Sequence, residues 1–337
     1  MFQEFYGLRE QPFCVTPDPR FLYLCPVHRE ALSSLFCGVD AGRGFLTLIA
    51  KPGMGKTTLL FQLLAMLRTS ARTAFLFQTQ CTSREFMRFL LMELGLVSQS
   101  EDLVTIHEQF NHCLLEEARA GRRIIVVIDE AQNLEPSVLE TVRLLSDFET
   151  PRAKLLQIIL SGQPELAEKL ARPSLRQLRQ RVSLFCTLAP LPPDDVERYI
   201  DHRLRIAGHA GDSMFTPDAR KMIARASEGI PRSINNLCFN SLSLGCALQQ
   251  HTIGPDIVRE AMADLELGSE SESDDVAPAV LAARGFASVE EAVGTTSKTR
   301  PSNRKTEDMS PEEALALIQD ILCRLRGWQS WIKQSAS

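Results

Sequence analysis

The chain has 337 residues, 44% hydrophobic and 23% charged, which is typical of a soluble globular protein with room for two modest domains. Its net charge of −5 excludes a global basic field of the kind that binds nucleic acid in bulk, but leaves a local basic face open. The nine cysteines include no C-x-x-C pair, and neither a signal peptide nor an apolar run of roughly 18 residues occurs, so we expect a cytoplasmic protein without a membrane span.

Residues 1–189 alternate apolar strand patterns with helical ones. A helix begins near Pro26 and leads into the strand "GFLTLIA". The strands "TAFLFQ", "RRIIVVIDEAQ" and "KLLQIILSG" follow, with helical stretches between them; Thr82 and Ser83 are candidate N-caps and Gly95 a candidate stop. This alternation predicts an α/β fold with a parallel sheet.

The composition changes from about residue 190. Four helical stretches over 190–267 predict a small all-helical domain. Residues 268–309 are rich in Ser, Glu, Asp, Thr and Lys and favour a disordered linker. Residues 310–337 begin with the capping box "SPEE" and place apolar residues three or four apart, which predicts one amphipathic helix.

The stretch "LIAKPGMGKTTLL", residues 48–60, is a near match to the phosphate-loop pattern G-x-x-x-x-G-K-[ST], with Ala50 in place of the first glycine. Lys56 can reach the β and γ oxygens of a nucleotide, and the Thr57 hydroxyl can bind Mg²⁺. Alanine costs about 1 kcal/mol at position 50 if its φ is positive. The residues predicted to bind the nucleotide here are Pro52, Gly53, Met54, Gly55, Lys56, Thr57 and Thr58.

The strand "IIVVIDEAQ" ends in two acids about 70 residues after this loop. Asp129 can hold Mg²⁺ through water, and Glu130 can orient or deprotonate the attacking water. Two solvated acids at a strand end are the alternative, but their pairing with the loop favours catalysis. The two motifs together predict an ATPase that uses ATP and Mg²⁺, with Thr57 and Asp129 at the metal.

Three further features are candidates. Ser161 ends a strand and can report the state of the γ-phosphate, or simply cap the strand. Arg176, Arg179 and Arg181 lie close together, and one of them can serve as an arginine finger toward a neighbouring subunit, with Arg181 first and Arg179 second; an ordinary solvated basic helix is the alternative. Arg232, in "GIPRSINNL", can fold back onto the nucleotide or remain a surface arginine at a helix start.

The ordered set of loop, Asp-Glu pair, polar strand end, arginines and G-x-P-R resembles an AAA+ ATPase. The stretches "FYGLREQPFCVTPDPRFLYLCPVHREAL", "SGQPEL" and "LRQLRQRV" are similar to the ExeA/GspA family of secretion-associated ATPases, which is related to the transposition ATPases TnsC and MuB. The resemblance covers residues 1–266. It implies a P-loop α/β domain with helices on both faces of its sheet and a helical lid. It also implies that Asp129 and Glu130 are Walker B residues, Ser161 is sensor 1 and Arg232 is sensor 2, and that Gln78 lies beside the catalytic water.

We therefore expect a nucleotide-binding domain at 1–189, a lid at 190–267, a linker at 268–309 and a C-terminal helix at 310–337. The predicted function is ATP hydrolysis coupled to assembly of a ring or filament that acts on a protein partner. The C-terminal helix favours a protein partner because a tethered apolar face suits docking. ATP-dependent filaments on DNA, of the transposition type, are the first alternative, and a nucleotide switch without hydrolysis is the second.

Overall fold

The computed structural model describes residues 2–270 except 78, 97–99, 101, 148, 151–152 and 212. Gln78, residues 271–309 of the predicted linker and the predicted helix at 310–337 lie outside the described residues. Among the described residues, no helix has both the length and the apolar character needed to cross a membrane.

Five parallel strands form the central sheet, in the order β2-β3-β6-β1-β7, as the alternating sequence pattern predicts. The three inner strands are short and almost wholly buried, because helices cover both faces of a parallel sheet, whereas the edge strand β7 is largely exposed or half-buried. Their bounds are β1 Phe45–Ile49, β2 Ala71–Leu76, β3 Arg123–Ile128, β6 Leu156–Gly162 and β7 Val182–Thr187, with a separate antiparallel hairpin of β4 Glu149–Thr150 and β5 Ala153–Lys154.

Helices pack on both faces of this sheet, and on each face the side chains of strands and helices form one apolar cluster. One cluster joins α2 and α3 to one face; the other joins α4 to α8 to the opposite face. After α1 Phe2–Phe5, which packs elsewhere, these helices are α2 Pro26–Asp40, α3 Lys56–Leu67, α4 Ser83–Glu93, α5 Leu103–Arg119, α6 Pro136–Leu145, α7 Pro164–Leu170 and α8 Arg176–Arg181. Thr82 does cap α4, in a full capping box with Glu85.

Four helices follow the sheet, as predicted, and they build a third apolar cluster. They are α9 Pro193–Ile206, α10 Pro217–Ala226, α11 Pro231–Ala247 and α12 Pro255–Glu270. Helix α12 runs three residues past the predicted boundary at 267, since a glycine such as Gly268 weakens a helix without forbidding it.

Residues 2–25 pack chiefly with these four helices, although the chain order groups them with the sheet. Tyr6, Phe13 and Phe21 belong to the helical cluster. The buried guanidinium of Arg203, on α9, donates to the carbonyl oxygens of Pro12 and Cys14 at 2.5 and 3.3 Å. The domain bounds stay a prediction, but the N-terminal segment is clearly joined to the helical part.

Gly229 precedes α11 at the junction between sheet and helices. Its φ is +71°, and an added Cβ would lie 2.1 Å from the carbonyl oxygen of Leu191, which is backbone and cannot move away. The carbonyl oxygen of Gly229 accepts a hydrogen bond from the Leu191 N–H at 2.9 Å. This close approach fixes where α11 begins.

We expect Gly229→Ala to lower the free energy of unfolding by roughly 2–4 kcal/mol, because backbone strain adds to the steric clash. Gly42→Ala is the matched control, since Gly42 has a φ of +69° and no atom within 4 Å of the added Cβ. It should cost about 1 kcal/mol. Urea unfolding of both variants checks this, and equal losses would contradict the clash.

Candidate functional site

The phosphate loop lies between β1 and α3, and its backbone has the predicted shape. Gly53 and Gly55 have φ of +77° and +84°, a conformation that favours glycine. Lys56 opens α3, is 6% exposed, and donates from Nζ to the carbonyl oxygen of Ala50 at 3.2 Å. The loop therefore curls around its own lysine, which places the amino group inside the curve.

Ala50 is compatible with this loop. It is buried and is not among the described residues with a positive φ, so the conditional cost predicted from the sequence does not arise. Its N–H donates to the carbonyl oxygen of Gly162 at the end of β6, at 3.1 Å. Its methyl group packs in the cluster between the sheet and α2 and α3. Alanine therefore serves here as a small buried residue at the end of a strand.

Three predicted residues meet at the carboxylate of Asp129, which follows β3: Ser161 is in β6, and Thr57 is in the first turn of α3. One oxygen of Asp129 accepts from the Thr57 hydroxyl at 2.7 Å, and the other accepts from the Ser161 hydroxyl at 2.7 Å. Asp129 is 3% exposed, so both bonds offset the cost of burying its charge. Hydroxyl and carboxylate oxygens are the hard ligands that Mg²⁺ prefers, and the set fits the predicted metal.

Glu130 lies next to this group in a left-handed conformation, with φ of 51°. Its Oε1 is 3.9 Å from Lys56 Nζ, and its Oε2 accepts from Gln132 and Gln163 at 2.6 and 3.1 Å. Burial alone would raise the pKa of Glu130, but these hydrogen bonds and the charges of Lys56 and Arg232 bring it below the usual value. The carboxylate is thus charged and oriented at neutral pH.

The two glutamines were not predicted from the sequence. Gln132 and Gln163 are also joined to each other, since the Gln163 N–H donates to Gln132 Oε1 at 3.1 Å. Both stand two residues after a predicted site residue, in "DEAQ" and "SGQ". Their position close in sequence to predicted site residues is the feature from which they could have been predicted.

Arg232 lies at the start of α11, against the phosphate loop. Its N–H donates to the carbonyl oxygen of Gly53 at 3.1 Å, and a Cβ on Gly53 would lie 2.7 Å from its own Cβ. The side chain is exposed and lines the pocket above the loop. The helical part therefore touches the loop through backbone as well as side chain.

A pocket of about 250 Å³ extends from the loop between the N-terminal segment and the helices. Thr58, Glu130 and Gln163 line its phosphate-loop end, and residues 14–18 and 21–23 line the other end with Tyr199 and Arg203. A pocket with cations at one end and aromatic walls at the other suits a nucleotide. Pro52 and Met54 also line it.

The predicted arginine fingers lie elsewhere. Helix α8 ends where β7 begins, and the first residue of β7, Val182, pairs with Phe45 at the start of β1. The phosphate loop follows the opposite end of β1, roughly 13 Å away along the strand. Arg181 is ion-paired with Asp147 of its own chain. Arg179 is exposed and makes no ion pair with any described residue.

Comparison with known proteins shows that this chain belongs to the ExeA/GspA-like AAA ATPases. Residues 39–170 match the model of the AAA domain. General secretion pathway protein A of Aeromonas hydrophila is 40% identical over 254 residues, which are 75% of this chain and 46% of that protein. The chain thus spans about half the length of this relative.

Two solved structures share the fold. Cdc6p from Pyrobaculum aerophilum has a TM-score of 0.61 at 17% identity, covering 75% of this chain and 70% of that one. The ORC2 protein of Aeropyrum pernix, solved in ADPNP–ADP complexes, has a TM-score of 0.61 at 14% identity, covering 76% and 71%. The predicted AAA+ fold and the resemblance are confirmed, and the role of each site residue stays a prediction.

We expect Ala50→Gly to change the dissociation constant for Mg–ATP by less than about tenfold, or ~1.4 kcal/mol, because glycine relieves no strain at this position. Isothermal titration of the wild type, Ala50→Gly and Lys56→Ala checks this, with the last variant as the control for site occupancy. A gain above tenfold in the glycine variant would mean that alanine impairs the loop.

Proposed function

We propose that this ExeA/GspA-like AAA ATPase binds Mg–ATP in the described pocket, hydrolyses it, and assembles with further copies to act on a protein partner. The observation that carries the proposal is the convergence of Thr57 and Ser161 on the carboxylate of Asp129, beside Lys56 and Glu130. These are an ATPase's parts, brought together from distant points of the chain.

Each residue has a physical task in this proposal. Lys56 supplies the counter-charge for the phosphates, and the loop N–H groups donate to their oxygens. Mg²⁺, when bound, neutralises charge between the phosphates. Thr57 and Asp129 would hold it, and Ser161 fixes the Asp129 carboxylate from the neighbouring strand.

Glu130 is the group placed to act on water. Its charged carboxylate can accept a hydrogen bond from a water molecule and orient it toward the γ-phosphate. Gln132 and Gln163 hold one of its oxygens and leave the other facing Lys56. Arg232 is placed to sense the nucleotide from the helical part, because its backbone is already bonded to Gly53.

Assembly follows from the position of the finger candidates. An arginine on α8 lies beside the start of β7, at the end of the strands opposite the phosphate loop, so we propose that it reaches a γ-phosphate only in another copy. Arg181 is occupied by Asp147, whereas Arg179 is exposed without an ion pair among the described residues. We therefore favour Arg179 over the first choice made from the sequence.

The nature of the partner and the compartment are also proposals. The relative is named for general secretion, and for this chain we propose an ATPase that acts on a protein. The predicted helix at 310–337 is the candidate docking segment. The eight cysteines of the described part form no disulfide with one another, which supports a reducing, cytoplasmic setting.

We expect Glu130→Gln to keep ATP binding but to slow hydrolysis by at least ~10²-fold, the scale of a lost catalytic base, and so to trap the ATP-bound assembly. Phosphate release measures the first effect. Size analysis with ATP, with ADP and with ATP plus duplex DNA measures the second. Glu168→Gln, on an exposed face of α7, is the matched control.

Unchanged turnover in Glu130→Gln would contradict its catalytic role. A particle that grows only when ATP and random duplex DNA are both present, and that dissolves as salt rises, would instead favour the DNA filament. Growth with ATP alone supports the protein-directed assembly.

We expect Arg179→Ala to keep ATP affinity and to lower turnover by about 10³-fold, the scale of an arginine finger acting in trans. Mixed with Lys56→Ala subunits, it should regain activity at interfaces that pair an intact finger with an intact loop. Arg181→Ala should mainly lose its ion pair with Asp147, worth about 0–1 kcal/mol. If Arg181→Ala loses turnover and regains it when mixed with Lys56→Ala, while Arg179→Ala does not, Arg181 rather than Arg179 is the arginine finger.

A further inference from the structure

His28 is a buried residue that the proposed catalysis does not use. It lies in the first turn of α2 and is 3% exposed. Its Nε2 is 3.1 Å from the carbonyl oxygen of Met54 in the phosphate loop, and its Nδ1 is 2.9 Å from the Sγ of Cys25. The ring also lies 3.9 Å from where a Cβ on Gly55 would be.

The chemistry of these neighbours fixes the state of the ring. A carbonyl oxygen can only accept, so Nε2 must carry the proton toward Met54. In the neutral ring Nδ1 is then the acceptor, and the Cys25 thiol must donate to it. Burial lowers the pKa of His28 and raises the pKa of the Cys25 thiol, which keeps both groups neutral.

The bond to Met54 determines the direction of the next N–H group. The peptide unit that joins Met54 to Gly55 is planar and trans, so its C=O and N–H point to opposite sides. With the carbonyl held on the α2 side, the Gly55 N–H must face the other way. Successive loop N–H groups turned to one side form a nest for an anion.

We propose that His28 is a positioning residue for phosphate binding, which holds the Met54 carbonyl so that the Gly55 N–H faces the phosphates. The proposal rests on the proposed binding of ATP. Two other loop carbonyls have donors as well, Ala50 from the Lys56 amino group and Gly53 from the Arg232 N–H. Of these three donors, the His28 side chain is the one with no proposed contact of its own with the ligand or the metal.

Three substitutions of His28 distinguish the effect of its Nε2–H hydrogen bond from the effect of the size of its side chain. Gln places an amide nitrogen as many bonds from Cβ as Nε2, so it can still donate to Met54. Asn can replace only the Nδ1 position, and Leu replaces neither. His112→Leu is the matched control, because His112 is 71% exposed on α5.

The affinities of full-length variants are measured for Mg–ATP, ADP and adenosine, with thermal melting without ligand as the check on folding. We expect His28→Leu and His28→Asn to lose about five- to tenfold in affinity for ATP and ADP, the loss of one buried hydrogen bond. Affinity for adenosine, which has no phosphate, should stay within about twofold. His28→Gln should stay within about threefold of the wild type for all three ligands.

Equal losses in the Gln and Asn variants, equal losses for adenosine, or wild-type affinity in all variants would overturn the positioning role. The comparison of Gln with Asn decides even if His28→Leu does not fold. If wild type and Lys56→Ala bind ATP equally or not at all, the proposed function fails and this inference with it. If Lys56→Ala alone loses ATP, the site stands and the His28 variants test the inference separately.

Discussion

The buried carboxylate of Asp129 is the point on which the nucleotide site depends. An ionised group that is 3% exposed must be fully hydrogen-bonded or it destabilises the fold. Its two oxygens take their donors from Thr57, after β1, and from Ser161, in β6. These hydrogen bonds to one carboxylate therefore hold the ends of three adjacent strands in line without a ligand. That alignment in turn positions the phosphate loop after β1 and Glu130 after β3.

The loop is also held from outside the sheet. The N–H of Arg232 reaches it from the helical part, and His28 reaches it from α2. The N-terminal segment is in turn bound to the helical part. Arg203 of α9 donates hydrogen bonds to its carbonyl oxygens, and the Arg203 guanidinium lies 4.9 Å from the Phe21 ring centroid. A displacement of the helices relative to the sheet must strain at least one of these bonds. The same contacts that shape the pocket thus give it a mechanical link to the helices.

The sequence predicts the sheet, the loop and the acids well, because each rests on a local rule. Strand periodicity, the glycines and the Asp-Glu pair need no knowledge of distant contacts. It does not predict which distant residues meet: the Ala50 N–H donates to the carbonyl oxygen of Gly162, and Arg181 forms an ion pair with Asp147 in the turn after α6. His28 was invisible for the same reason, since its partner lies 26 positions away. The packing of residues 2–25 on the helical part likewise needs contacts across almost the whole described chain.

That packing has a consequence for biosynthesis. The hydroxyl of Tyr6 donates to the carbonyl of Gln250, 244 positions later. A ribosome that adds about 5–20 residues per second makes the first segment wait roughly 10–50 s for its partners. During that time Phe13 and Phe21, which end up buried, lack the helical residues that they pack with in the folded protein. The sheet can form as soon as β7 has been made, whereas the nucleotide pocket also needs Arg232 and Asn235 of α11, which are made later. Chaperones that shield aromatic segments can act in that interval.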